Sequence, residues 1–319
     1  MGLHLQSGMQ IALRPLNLSQ PDGLRTVLGA GQDADGNGVK VGVVDSGVAL
    51  NHPDLKVAGG LCTVVGERPE DYGPLAGEHG THVAGIIAAR GMPPKGIRGL
   101  APAASIYSYR VFPIPKKDGG KEDNGASNYS IAKAIDRAVR DGCDLINLSL
   151  GGGAPDELTQ AAIEDARAAG TLTIAATGND GRPAVSFPAS DSMAVAVTAT
   201  GLEGTFPSDS ASSDDIGPIK GTDKRFFLAK FSNYGPEVDL TSIGVEVVST
   251  VPGGYAAMSG TSMACPAATG ALARLLSKTP NVLTAARDAN RSASLVNLAY
   301  QVAKPVGFGP LYEGHGLCK

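Results

Sequence analysis

The chain has 319 residues, 42% of them hydrophobic and only 18% charged, with 43 glycines and 21 prolines. That mix excludes a coiled coil, a collagen-like repeat and an acidic disordered chain, and it suits a compact, loop-rich protein. The net charge of −4 comes without any Lys/Arg run, so no nucleic-acid partner is expected, and no apolar run approaches the ~18 residues needed to span a membrane.

Residues 1–19 read as a loosely structured N-terminal extension without the apolar stretch of a secretory signal, and one domain is expected over 20–319. Asp33-Ala34-Asp35-Gly36-Asn37-Gly38 opens like an EF-type calcium loop, but its twelfth position is Val44, where a Glu is required; a tight turn is the better account. A β-branched run, Val39, Val41, Val43 and Val44, predicts a first strand ending at Asp45-Ser46-Gly47. Further strands are predicted over Ala104–Val111, Asp144–Leu150, Leu172–Ala176 and Met193–Val197. Short apolar runs between turn residues suit strands buried on both faces. Tyr129–Arg140 places Ile131, Ile135, Ala138 and Val139 on one helical stripe, and Pro155–Ala169 has an acidic start that favours a helix N-terminus. Strands alternating with helices predict an α/β fold with a parallel sheet covered on both faces. Pro113–Asn124 and the acidic, polar stretch Gly201–Gly221 read as surface loops. Cys62, Cys143, Cys265 and Cys318 form no CxxC pair; Cys143 and Cys265, in apolar stretches, read as buried thiols.

Three segments can carry chemistry. Asp45 ends a buried strand in VGVVDSGV, His79 lies in GEHGTHVAGI before an apolar helical run, and Ser262 lies in MSGTSMACPAATGALA before a small-residue helix. Alone, Asp45 reads as a turn cap, His79 as a loop histidine and Ser262 as a helix N-cap. Together they are the types that nucleophilic catalysis needs. An alcohol must lose its proton to attack a carbonyl, an imidazole can take that proton, and a buried carboxylate can orient the imidazole. Open α/β sheets form sites at the carboxyl ends of their strands, where Asp45 falls.

The order Asp, His, Ser along the chain is that of the subtilisins. The chain resembles the subtilisin-type serine proteases over Ser19 to Leu317. The likeness is carried in family order by VGVVDSGVALNHPDLKVAGG (41–60), HGTHVAG (79–85), GLAPAASIYSYRV (99–111), INLSLGG (146–152), AATGNDG (175–181), FSNYGPEVDL (231–240) and GTSMACP (260–266). It implies a three-layer subtilisin-like fold with a mostly parallel central sheet. It implies a serine endopeptidase with Ser262 as nucleophile, His79 as general base and acid, Asp45 as orienter and Asn179 as oxyanion donor. His82 is implied to be structural, bonded beneath the site. The substrate cleft is implied between Ser149-Leu150-Gly151-Gly152 and Gly125-Ala126-Ser127, with Tyr129 over the S4 pocket. The S1 pocket is implied to be walled by Ala176-Thr177-Gly178 and Ser186, with Asp180 at its rim.

The sequence departs from the family at several places. Asp54 matches one ligand of the family's structural calcium ion, but Arg90–Gly96 supplies no carboxylate or amide to join it, which leaves that site degraded. No cofactor is expected for catalysis. Residues 201–228 form a surface insertion in a connection that is short in the family. No inhibitory prodomain is present in the chain, so secretion after precursor processing is slightly favoured over an intracellular type. Polypeptides are the expected substrates, a monomer the expected working unit, and no membrane partner is expected. Two alternatives use the same fold: a transpeptidase or peptide macrocyclase, with the 201–228 insertion as a water-excluding cap, and an inactive peptide-binding module.

Overall fold

The architecture follows from strands whose side chains are apolar on both faces. A computed structural model describes residues 23–30, 35–115 and 125–319. The extension over 1–19, Asp33 and Ala34 of the expected turn, and residues 116–124 of the charged loop lie outside the described residues. In chain order the described strands are β1 (Lys40–Asp45), β2 (Val57–Cys62), β3 (Ser105–Arg110), β4 (Leu145–Leu148), β5 (Leu172–Ala176), β6 (Ala194–Leu202), β7 (Ile216–Lys220), β8 (Phe226–Ala229), β9 (Val238–Ile243), β10 (Val247–Val251), β11 (Gly254–Met258), β12 (Ala303–Lys304) and β13 (Leu317–Cys318). The helices are α1 (Gly23–Val27), α2 (His79–Ala88), α3 (Asn128–Arg140), α4 (Glu157–Ala168), α5 (Thr261–Ser277), α6 (Pro280–Leu283), α7 (Ala289–Val302) and α8 (Pro310–Glu313).

The main sheet runs β12-β13-β9-β6-β5-β4-β1-β3-β2, with β7 and β8 attached beside β6. Every pairing from β2 along this path to β9 is parallel. Side chains alternate between two cores. Val41 and Val43 of β1, and Leu172, Ile174 and Ala176 of β5, pack on the face that carries α2 and α5. Val44, Ile146, Leu148 and Ala175 pack on the opposite face against α3 and α4. The fold is therefore the expected α/β arrangement, mostly parallel with helices on both faces. Each fully buried Val, Leu or Ile contributes about 1.5–3 kcal/mol.

Chain order reverses at β1. β2 and β3 lie on one side of it, and β4, β5 and β6 lie on the other. The connection through α3 crosses over β1, which makes the carboxyl ends of β1 and β4 the switch point at which open α/β sheets form their sites.

Two expectations are corrected. The fifth strand does not stop at Val197 but runs on to Leu202, because the Thr198 hydroxyl donates to the Tyr312 carbonyl and Thr200 pairs with the Thr241 hydroxyl. The polar insertion is not simply a surface loop. A short 3₁₀ turn, Ala211–Asp215, leads into the β7–β8 hairpin, and β8 pairs antiparallel with the far end of β6. Phe227 explains it: the ring is fully buried over Gly201 and meets Phe206 edge-on at 6.2 Å. All four cysteines are free and buried.

Candidate active site

Asp45 is the last residue of β1 and is fully buried. Its carboxylate accepts from the Ser46 N–H at 2.6 Å and faces His79, whose Nδ1 lies 2.9 Å from Oδ1 and 3.0 Å from Oδ2. His79 is the first residue of α2 and only 4% exposed. The helix start is fixed from the β1 turn: Gly80 N–H donates to Ser46 Oγ, and the Thr81 hydroxyl accepts from Ala49 N–H, 3.0 Å each. Gly47 lets this turn pass close to the chain that leads into α2. Its φ is +99°, and a Cβ there would sit 1.9 Å from the Gly73 carbonyl oxygen. With Nδ1 donating to Asp45, Nε2 is the nitrogen left to accept a proton.

His82, one turn on, does different work. It is fully buried and its Nε2 donates to the Ala256 carbonyl at 3.1 Å, fastening α2 to the β10–β11 hairpin. Burial, helped by the neighbouring His79, lowers its pKa to about 3, so it stays neutral and structural, as expected from the sequence.

Ser262 is the second residue of α5. Pro266 sits inside the same helix. Proline has no N–H to give the carbonyl four residues earlier, and that carbonyl is Ser262's own. The Ser149 hydroxyl takes the vacant place, donating to Ser262 O at 2.9 Å, while Ser262 Oγ donates back to the Ser149 carbonyl at 3.2 Å. Below this pair Asn147 donates to Ser149 Oγ at 2.9 Å and accepts from Thr269 Oγ1 at 3.0 Å and Cys265 Sγ at 3.3 Å. Burial pushes the Cys265 thiol up, and the Asp45 carboxylate adds to it.

Asn179 follows β5 in the bend after Gly178. Its Oδ1 accepts from both the Thr261 N–H, 2.8 Å, and the Thr261 hydroxyl, 2.9 Å. Those bonds commit the oxygen and leave Nδ2 as the amide branch beside Gly260. Of the implied S1 wall, Ala176 and Thr177 are fully buried and Ser186 is 8% exposed. Ser186 N–H donates to the Thr177 carbonyl, and Gly152 N–H to the Phe187 carbonyl, so wall and rim are one hydrogen-bonded piece. Ser149 and Leu150 are buried at the end of β4, leading into Gly151 and Gly152. On the other side, Gly125 and Ala126 lead to Ser127, which caps α3 by accepting from Ser130 N–H. Tyr129 is exposed, with the Lys133 ammonium 5.8 Å above its ring. Sequence reasoning gave no role to Asn147, Thr261 or Asn233. Their signal was present, since each lies inside a quoted motif.

Asp54 does not suit a cation. Gly91 and Gly96 pass close to its carboxylate, and the bonds it makes come from donors: Oδ2 accepts from Ile97 N–H and from the Tyr255 hydroxyl, each at 2.8 Å. Among the described residues no group of three or more His, Cys, Asp or Glu could hold a metal ion. A calcium ion needs six or more oxygen ligands, and the groups here compete for the one carboxylate instead. No helix among the described residues is long and apolar enough to cross a membrane.

Comparison with known proteins gives a consistent picture. A sequence model described as "Subtilase family" matches residues 36–309. The chain is 38% identical to Subtilisin BL of Lederbergia lenta over 247 residues, covering 77% of this chain and 79% of that protein. It is 36% identical to Subtilisin DY of Bacillus licheniformis over 267 residues, covering 82% and 85%. Subtilisin Savinase of Lederbergia lenta is 37% identical over 247 residues, with 77% and 79% covered.

Proposed function

Because the chain belongs to the subtilase family and is a serine-type endopeptidase, we propose that it cleaves polypeptides through an acyl-enzyme on Ser262. His79 Nε2 takes the Ser262 hydroxyl proton as Oγ bonds to the scissile carbonyl carbon. The same imidazole then gives that proton to the departing amine as the C–N bond breaks. Water repeats the sequence in reverse roles and frees the acid. Asp45 holds the imidazole tautomer and stabilises the imidazolium. The Asn179 Nδ2 and the Ser262 N–H, a donor of the first helical turn without an intrahelical acceptor, stabilise the oxyanion.

The observation that carries this reading is the buried Asp45–His79 pair, held rigidly by both ends of the Ser46–Ala49 turn. Ser262 Oγ rests on the Ser149 carbonyl, and on this reading it turns from there to the imidazole when substrate arrives. Substrate is read as an extended strand between the 125–127 and 149–152 segments, with P1 between 176–178 and Ser186. The same reading includes a working monomer and secretion after processing.

Ser262→Ala tests it. The variant should show no burst of leaving group from an activated ester and no labelling by a fluorophosphonate. Retained turnover sinks the assignment. Adding a nucleophilic amine to the peptide assay separates hydrolysis from transpeptidation, since a transpeptidase yields amide product as its main species.

A further inference from the structure

Asn233 lies in the turn between β8 and β9 and is fully buried. A buried amide needs partners for both its ends. Here every partner belongs to one segment, the loop that carries Asn179. Oδ1 accepts from Asp180 N–H at 2.9 Å and from Arg182 N–H at 3.4 Å. Nδ2 donates to Asp180 Oδ2 and to Ser186 Oγ, 3.2 Å each. The main chain joins in: Asn233 N–H donates to the Gly178 carbonyl at 2.9 Å, and its carbonyl accepts from Thr177 Oγ1 at 3.1 Å. Gly178 is shaped to admit it. Its φ is +114°, and a Cβ there would meet Asn233 Nδ2 at 2.2 Å.

We infer that Asn233 is a positioning residue for the oxyanion hole, fixing Asn179 by holding the residues on either side of it; this rests on the reading of Asn179 given above. Asn179 has two sets of anchors. Thr261 holds its side-chain oxygen, and Asn233 holds the backbone at 178 and 180. Remove the second set and the amide can still meet Thr261, but its Nδ2 no longer has a fixed place. A misplacement of ~1 Å can cost up to about 10²-fold in rate, and outright loss of such a donor costs about 10²–10³. The oxyanion exists only in the transition state and its neighbouring intermediate, so the loss falls on kcat and spares KM.

A double-mutant cycle on the full chain tests this. Asn233→Ala, Asn179→Ala and the pair are assayed on a peptide anilide, with kcat expressed per site titrated by a fluorophosphonate. Asn233→Ala should lower kcat at least about tenfold with KM within about twofold, and should cost little more once Asn179→Ala is present. If Asn233→Ala yields too little folded enzyme, Asn233→Asp serves in its place. It keeps the volume but turns the bond to the Asp180 carboxylate into repulsion between like charges, which pushes residue 180 away and gives a kcat-selective loss of the same kind. A kcat per titrated site equal to the parent overturns the inference, because a merely structural role lowers the titrated fraction alone. Losses that multiply across the cycle overturn it too while leaving Asn179 its role. If Asn179→Ala by itself costs nothing, the oxyanion reading fails and this one with it.

Discussion

Asp215 shows how one residue of the insertion bears on stability. It sits at the end of the 3₁₀ turn, whose Ser212 hydroxyl lies 3.4 Å from that of Ser259, just before the nucleophile's loop. Burial raises its pKa to about 6; Asp214 and Glu246 push the same way, while the Ser259 hydroxyl and Lys230 oppose. The folded form therefore binds more protons than the unfolded chain between pH ~4 and 6, so stability is lost as pH rises through that window. Above pH 6 the whole penalty is present. Asp215→Asn removes the charge and keeps the shape. It should stabilise the protein by about 1–2 kcal/mol at pH 8 and hardly at all at pH 4, read from urea midpoints. An equal gain at both pH values would mean that repacking, not ionisation, is responsible. His82 acts with the opposite sign: its pKa is lowered to about 3, so the stability it secures is complete above pH ~6.5 and declines as pH falls below that.

At the scale of elements, the β10–β11 hairpin is fastened to the rest by polar pins. His52 accepts from Asp54 N–H at 3.1 Å and its Nε2 donates to the Gly254 carbonyl at 2.9 Å; its ring meets Tyr255 edge-on at 5.4 Å. Tyr255 then closes on Asp54. Tyr255→Phe should cost about 1–2 kcal/mol, equally in calcium and in chelator. A loss seen only in chelator would show that a cation, not the hydroxyl, holds this corner. These elements also mark what the sequence made legible. β1 and β5 were readable because burial on both faces leaves continuous Val, Ile and Ala runs. α3 was readable from its apolar stripe. β7 and β8 were not, since Gly217, Pro218 and Lys220 carry no strand pattern and the hairpin is stabilised by Phe227, distant neighbours and edge pairing. The three positions proposed for catalysis were legible because glycines and small residues crowd them in recognisable order. Asn233 lies in a recognisable motif, FSNYGPEVDL, but the contacts it makes are 47–56 residues away along the chain and leave no local pattern.

The whole molecule is closed by buried charge at the end away from the site. Asp144, just ahead of β4, accepts from Lys40 N–H at 2.8 Å, from Arg287 at 3.1 Å and from Arg291 at 2.6 Å. Arg291 is 2% exposed, and its remaining donors reach the carbonyls of Gly170, Val282 and Leu283. The guanidinium thus ties α7 to the amino-terminal ends of β1, β4 and β5. A lysine keeps the charge but cannot span those acceptors. Arg291→Lys should cost about 2–4 kcal/mol, measured by urea unfolding in the Ser262→Ala background, with kcat per titrated site unchanged in the active protein. A changed kcat would mean that the two ends of the sheet communicate.

The place of β1 has a consequence for how the molecule comes to exist. Its two neighbours arrive late in the chain: Val41 pairs with Ile106 on one side and with Leu145 on the other. Asp45 accordingly has no completed sheet around it until residues more than a hundred positions downstream have docked, and Ser262 joins later still. Such distant closures are slow, because the entropy of the intervening chain is lost before any contact repays it. A growing or partly unfolded chain is therefore expected to hold β1 with open edges, and the site proposed at its end can assemble only once these late partners are in place.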